Sequence, residues 1–399
     1  MRMIDVAHER SRTLGAPNSH HFNAAGAALP TSSVVEAVVE HLHREEALGG
    51  YEAAARVRDD VEGIYAAAGD LLGCAADEIA LFDSASTGLR VLIDAVRPAA
   101  GSRIIASRST YVSHALHLMT ICRERDVELV IVPADEQRRV DLVALEALLA
   151  DGRPSVLTVS HVPTSSGLVE PVAEIGQLAR RYGATYLLDA TQSVGHLQVD
   201  VAAIGCDGLV TTGRKFLRAP RGTAFAYVKR SFASALLPTA PDVRGSEWQS
   251  EGGWDTTSLA RRFETWEASV AARLGLGVAL REANERGMAA TEAWLTAAGD
   301  DIRRRVREVP GVVLADPEGS RSAIVTFVID GMTSAHAASR LSESGVRVVS
   351  VPATHGQWDL GDRRIPAVVR ASPHVYNDEG DVDALVEGIA RIAGEVRAS

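Results

Sequence analysis

Lysine is nearly absent from this chain. It holds 41 lysines and arginines, and only two of them, Lys215 and Lys229, are lysine. Arginine covers the general need for positive charge, so a retained lysine points to chemistry that a guanidinium cannot perform. An ε-amine loses its proton when desolvated and forms a Schiff base with an aldehyde. Lys229 ends an apolar run and reads as a solvated strand-end residue; Lys215 is the candidate. Cysteine is scarce as well. Cys74, Cys122 and Cys206 are odd in number, far apart and without C-x-x-C spacing. That argues against a disulfide framework and a zinc site, and for free thiols in a reducing cytosol. No apolar run reaches the roughly 18–20 residues of a membrane helix. Met1 to Asn18 is charged and polar, without the apolar core of a signal peptide. The expectation is a cytoplasmic protein. An excess of basic charge is missing too: the net charge of −11 argues against a nucleic-acid or anionic-membrane surface. Arg214, Arg218 and Arg221 nonetheless surround Lys215, so a local anion site is expected there.

What is present is an ordinary globular composition, 46% hydrophobic and 23% charged, long enough at 399 residues for more than one domain. After a helical arm over 1–19 comes a small-residue stretch, Asn23 to Ala28, that allows close backbone approach. Amphipathic helices follow, the first ending at Gly49-Gly50-Tyr51 and the second over about 52–73. From residue 78 short strands alternate with helices: strands at 79–82, 103–107, 127–132, 155–162, 185–188, 208–212 and 223–228. This alternation predicts an α/β fold with a mostly parallel sheet covered on both faces. Ligands of such sheets sit outside the carboxyl ends of the strands, where Ser86, His161, Asp189 and Lys215 fall. Residues 229–256 are irregular and carry Trp248 and Trp254. A long helix is expected over about 264–285, another over 288–307, then a smaller α+β layer. The expected division is a large domain over 20–255 and a small domain over 256–399, with residues 1–19 packing against the latter.

The residues at the sheet edge form a chemical set. Asp189 ends the apolar strand Tyr186-Leu187-Leu188, and a buried carboxylate there is costly without a cationic partner. A pyridinium N–H supplies one, and keeping that nitrogen protonated makes the ring an electron sink. Gln192 can meet a ring hydroxyl oxygen, Lys215 an aldehyde, Tyr111 a ring face, and Ser86, Thr212 and Arg214 a phosphate. Together they describe a pyridoxal 5′-phosphate site.

The stretches Asp189-Ala190-Thr191-Gln192-Ser193-Val194-Gly195-His196 and Thr212-Gly213-Arg214-Lys215-Phe216-Leu217-Arg218-Ala219-Pro220-Arg221-Gly222-Thr223 resemble the class V aminotransferase group of fold-type I enzymes, which includes cysteine desulfurases. The resemblance runs over about residues 20–395. It implies a large domain with a seven-stranded-type sheet and a smaller C-terminal α+β domain. It implies Lys215 as the Schiff-base lysine, Asp189 as the pyridinium partner and Gln192 at the ring oxygen. Ala85, Ser86, Thr212 and Arg214 match the phosphate seat, Tyr111 the stacking position, and His161 the cofactor edge. Arg370, in Val368-Val369-Arg370-Ala371-Ser372-Pro373, matches the arginine that grips a substrate carboxylate, with Ala25 also assigned to the substrate. Arg262-Phe263-Glu264-Thr265 resembles a segment that crosses a dimer interface, implying a homodimer in which Thr265 reaches the neighbour's phosphate.

Departures from the desulfurase pattern bear on the reaction. The loop that carries the sulfur-accepting cysteine there is about Ser350 to Trp358 here, and it has no cysteine. Gly49-Gly50-Tyr51, Arg214-Lys215-Phe216-Leu217 and Arg370-Ala371-Ser372-Pro373-His374-Val375 resemble the C–S lyases of ergothioneine pathways, and the overall likeness extends to enzymes that process cysteine conjugates in lincosamide pathways. The implied activity is a lyase cleaving the Cβ–S bond of a bulky cysteine S-conjugate to thiol, pyruvate and ammonia. Decarboxylation-coupled oxidative deamination to an S-acetaldehyde is the alternative, and transamination the third. Trp254, Trp266 and Trp358 are expected to wall a large substituent.

Overall fold

The strands expected in the first half of the chain form one sheet. A computed structural model describes residues 3–398; Met1, Arg2 and Ser399, the tips of the expected arm and small domain, lie outside the described residues. Seven strands run in the order Ile79–Phe82, Ala224–Val228, Gly208–Thr212, Thr185–Asp189, Ser155–Ser160, Arg103–Ala106 and Glu128–Ile131. Ala224–Val228 pairs antiparallel with both neighbours, and the remaining pairs are parallel. The central strands are mostly apolar because both faces of the sheet are covered. Helices Arg58–Leu72, Val172–Tyr182 and Val270–Arg286 bury Leu72, Ile175 and Leu280 against one face. Helices Ala85–Val96 and Val112–Arg125 bury Leu92 and Leu118 against the other.

A second, antiparallel sheet takes Val312–Leu314, Val325–Ile329, Ala367–Ala371 and Val349–Pro352 in that order. Helices Met288–Arg307, Ser334–Glu343 and Glu379–Ala398 cover it through Ile302, Leu341 and Ile389. The arm joins this layer. Arg10 pairs with Asp378 at 3.0 Å and Asp381 at 2.6 Å, and the strand His20–His21 runs parallel to Val346–Arg347.

Three expectations change. The helix expected from residue 264 begins at Val270, capped by Ser269. Glu264 is drawn instead into a buried network, accepting from Tyr65 Oη at 2.9 Å, the Leu81 amide at 3.0 Å and Arg244 Nε at 3.2 Å. Second, Val270–Arg286 was expected in the small domain, yet its Leu276, Ala279, Leu280 and Ala283 pack in the large-domain core. The change of core comes at Gly287, whose φ of +86° separates this helix from Met288–Arg307. Third, the helix expected over 52–73 breaks at Val57 into Gly50–Arg56 and Arg58–Leu72. The irregular stretch 229–256 contains a short helix, Arg230–Ala235, and a hairpin pairing Ser246–Trp248 with Trp254–Thr256.

Candidate active site

Lys215 follows the strand Gly208–Thr212 by three residues, in a turn that only glycine permits. A Cβ on Gly213 would stand 2.2 Å from Thr223 Oγ1. Gly195, at φ +83°, lets the turn after Asp189 lie against the lysine segment, since a Cβ there would stand 2.6 Å from the Phe216 carbonyl carbon. Both strand ends thus converge on a cavity of about 540 Å³, within the range of small-molecule sites. Lys215 lines it opposite Asp189, Gln192 and the helix N-terminus at Ala85 and Ser86. No hydrogen bond or ion pair reaches the Lys215 amine from the described residues. Burial, with the Arg214 and Arg370 charges, brings that amine down to about 7 against an opposing pull from Asp189. Roughly half of such amines are unprotonated at pH 7, against about one in 3,000 for an ordinary lysine.

Asp189 is built as a fixed acceptor. Its Oδ1 receives the Thr191 amide at 3.0 Å and its Oδ2 the Ser160 hydroxyl at 3.1 Å. Gln192 donates to the Ala25 carbonyl at 3.1 Å and to Thr164 Oγ1 at 3.4 Å, while its buried Oε1 has no partner among the described residues. Ser84 caps the helix Ala85–Val96 by accepting from the Thr87 amide at 3.1 Å. The Ala85 and Ser86 amides precede the helical ladder and can receive an anion. The Thr212 hydroxyl donates to the Thr223 carbonyl at 3.2 Å, and Arg214 bonds the Gly26 carbonyl. Arg370 donates to Thr164 Oγ1 at 2.5 Å and to Asn23 Oδ1 at 3.2 Å, leaving its buried Nε unpartnered among the described residues.

Of the residues singled out in the sequence, Lys215, Ala85, Ser86, Tyr111, Asp189, Gln192, Thr212, Arg214, Ala25 and Arg370 line this one cavity. His161 does not. Ser160 and Val162 line the cavity, and His161, just past the strand Ser155–Ser160, is not among the lining residues. There it is buried and neutral: burial lowers its ring to about 4, with a contribution from Arg321. Thr265 is exposed outside the cavity and donates to the Glu267 carbonyl at 3.3 Å. Arg218 does not join the anion site either. It is 1% exposed and binds Glu9 at 2.8 Å and the Leu29 carbonyl at 2.9 Å, a buried ion pair that fastens the arm. None of Trp254, Trp266 and Trp358 lines the cavity; Trp358 packs on the large-domain core, and the other two are exposed.

Arg221, expected beside Lys215, lines the cavity, as do His114, Thr164 and His355, which were not singled out in the sequence. His114 stands one helical turn past Tyr111, a spacing that places both on one face. Its Nε2 meets Thr158 Oγ1 at 2.8 Å, and burial lowers the ring to about 4 against the pull of Asp189. His355 meets the Tyr111 ring edge-on at 5.9 Å between centroids. No cysteine lines the cavity. Burial pushes the Cys74 and Cys206 thiols up to about 12.

This donor set fits a pyridoxal 5′-phosphate. The fixed carboxylate, the unsatisfied Gln192 oxygen, the aromatic face of Tyr111, the free helix amides and an amine near 7 match a pyridinium, a ring hydroxyl, a ring plane, a phosphate and an aldehyde respectively. Among the described residues no cluster of side chains suits a metal ion, and no helix is long and apolar enough to cross a membrane.

The family model described as aminotransferase class-V matches residues 20–385. A probable cysteine desulfurase of Methanothermobacter thermautotrophicus is 28% identical, over 99% of this chain and 99% of its own. A cysteine desulfurase of Thermococcus onnurineus, solved in its apo form, superimposes with a TM-score of 0.91 at 22% identity, covering 99% of both chains. The cysteine desulfurase CsdA of Escherichia coli gives a TM-score of 0.89 at 21% identity, covering 99% of this chain and 100% of its own.

Proposed function

The chain belongs to the aminotransferase class-V family, a pyridoxal 5′-phosphate-dependent enzyme of fold type I, and on that premise we propose that it is a carbon–sulfur lyase acting on a cysteine S-conjugate. The supporting observation is the wall of the cavity: an amine near 7 lines it and no thiol does. Sulfur released there has no cysteine to attach to, so it leaves with the product as a thiol.

When bound, the cofactor supplies an electron sink for carbon–hydrogen cleavage next to an amino group. The protein's residues do the rest. Asp189 would hold the ring nitrogen and keep its proton in place. Ala85, Ser86, Thr212 and Arg214 hold the phosphate, Gln192 meets the ring hydroxyl, and Tyr111 covers one ring face. Arg370, held by Thr164 and Asn23, grips the substrate carboxylate beside Ala25 and fixes the Cα–H toward Lys215. Lys215, whose amine burial and the Arg214 and Arg370 charges hold below the usual lysine value, removes that proton. Departure of the Cβ–S electron pair onto sulfur and hydrolysis by one water give thiol, pyruvate and ammonia.

The working unit in this proposal is a homodimer. Trp248, Trp254 and Trp266 are 85%, 55% and 53% exposed on the hairpin and the adjoining segment, an apolar surface that a second copy would cover. Thr265 on that segment would reach the neighbour's phosphate. Sedimentation should give twice the chain mass; a fully active monomer would exclude the composite site.

The decisive assay is incubation of the holoenzyme with a panel of S-alkyl and S-aryl cysteines, with products read by mass. Pyruvate with a free thiol supports the lyase. Carbon dioxide with an S-acetaldehyde, or transfer of the amino group to an added 2-oxoacid, would replace it with one of the other two activities. Lys215→Ala should lose the visible absorbance of covalently held pyridoxal; persistence of that band would refute the assignment of Lys215.

A further inference from the structure

Elimination needs a base at Cα and, for a poor leaving group, an acid at sulfur. Lys215 supplies the first. The cavity wall limits what can supply the second. The guanidinium groups of Arg214, Arg221 and Arg370 do not give up protons. Asp189 is committed as an acceptor to Ser160 and Thr191, on the floor of the cavity. His114 is at the floor too, bonded to Thr158 and held neutral by burial. Apart from the Asp83 carboxylate beside the Ser84 cap, the ionisable side chains left on the cavity wall are Tyr111 and His355, packed edge to face.

Resting on the lyase reading, we infer that His355 is a catalytic residue that donates a ring N–H proton to the departing sulfur. Its backbone fixes it for this. His355 ends a tight turn, Ala353–His355, that directly follows the strand Val349–Pro352. That strand pairs with Ala367–Ala371 and sets Val349 opposite Arg370, so the carboxylate grip and the turn share one rigid ladder. The turn is closed by the Gly356 amide on the Ala353 carbonyl at 2.9 Å and by the Ala353 amide on the Pro366 carbonyl at 2.9 Å. Beyond it, Arg108 holds the Trp358 carbonyl at 3.1 Å, and Arg138 bridges Asp359 and Asp362 at 3.2 and 3.0 Å. Gly356 sits against Ser165, where a Cβ would stand 3.2 Å from Oγ. The segment is therefore anchored on both sides of a half-buried imidazole that has no hydrogen-bond partner among the described residues. Tyr111 is engaged in covering the ring face, and its edge seats the imidazole beside the substrate's outer end.

The step balances without an added oxidant or reductant. The Cα proton moves to Lys215 Nζ, the Cβ–S bond breaks with its electron pair on sulfur, and that sulfur takes the His355 proton. The proton held on Lys215 returns through solvent to His355, and one water hydrolyses the three-carbon remainder to pyruvate and ammonia.

Leaving-group dependence tests the role. Wild-type holoenzyme and His355→Gln are compared on β-chloroalanine, whose chloride leaves without a proton, and on S-methylcysteine, whose thiolate needs one. The ratio of kcat/KM for β-chloroalanine to that for S-methylcysteine is expected to rise about 100-fold or more in the variant, the low end for lost acid catalysis. S-(4-nitrophenyl)cysteine should fall close to β-chloroalanine. An unchanged ratio overturns the inference, as does a rise seen in Tyr111→Phe and not in His355→Gln. His355→Asn serves as the second variant, with bound-pyridoxal absorbance as the check on folding. Failure of wild type to release pyruvate from either substrate would instead sink the lyase reading itself.

Discussion

Lys215 offers a stability test independent of any substrate. In the cofactor-free protein burial and the Arg214 and Arg370 charges bring its amine down to about 7, against about 10.4 for an ordinary lysine. In the unfolded chain it regains the ordinary value, so between these two pH values the unfolded state binds one more proton than the folded state. Stability attributable to Lys215 therefore rises with pH across that window, and the full cost of the buried charge is felt below it. Lys215→Met keeps the length of the side chain and removes the titration. Relative to wild type, the variant should be more stable at pH 6, and the advantage should shrink by about 2–3 kcal/mol by pH 9 at 1.36 kcal/mol per pH unit. Urea denaturation of both proteins, stripped of cofactor, at pH 6, 7, 8 and 9 reads the difference directly. A difference that does not vary with pH, or that grows as pH rises, would show that the amine is not buried beside uncompensated positive charge.

Three further outcomes are expected. Arg370→Lys should raise KM for amino-acid substrates about 10- to 100-fold with a smaller change in kcat, since an ammonium cannot hold Thr164 and a carboxylate together in one plane; an equal fall in kcat with KM unchanged would contradict a ground-state grip. Gly195→Ala should lower stability by about 2–4 kcal/mol in denaturant unfolding, from the +83° φ and the collision with Phe216, and a cost under about 0.5 kcal/mol would mean the two turns are not in contact. Glu264→Leu should cost about 3–5 kcal/mol by leaving Arg244 and Tyr65 without their buried acceptor; a neutral effect would place that network at the surface.

The shift of the domain change from 256 to Gly287 has a physical cause. Periodicity marks Val270–Arg286 as a helix but does not say which sheet its apolar residues meet. Leu276 and Leu280 are as apolar to one core as to another, and only packing assigns them to the large domain. Glu264 shows the converse. Its helix propensity favours extending Val270–Arg286 backward, and three buried donors outweigh that local preference.

The sequence by itself determined the α/β alternation, the seven-strand sheet and the strand-end set that makes a pyridoxal site. Those follow from residue type and spacing: apolar runs of strand length, a carboxylate and a lysine where strands stop, and glycines where the backbone must turn. The tertiary structure alone decided which side chains face the same space. The turn after Ser160 kept His161 off the cavity wall that Ser160 and Val162 line, and a buried glutamate drew Arg218 out of the anion site. It also brought Thr164, His114 and His355 to the cavity from three separate segments. His114 follows Tyr111 by one helical turn and was open to a local reading, but His355 meets Tyr111 from more than two hundred positions away, a contact set by packing whole layers together.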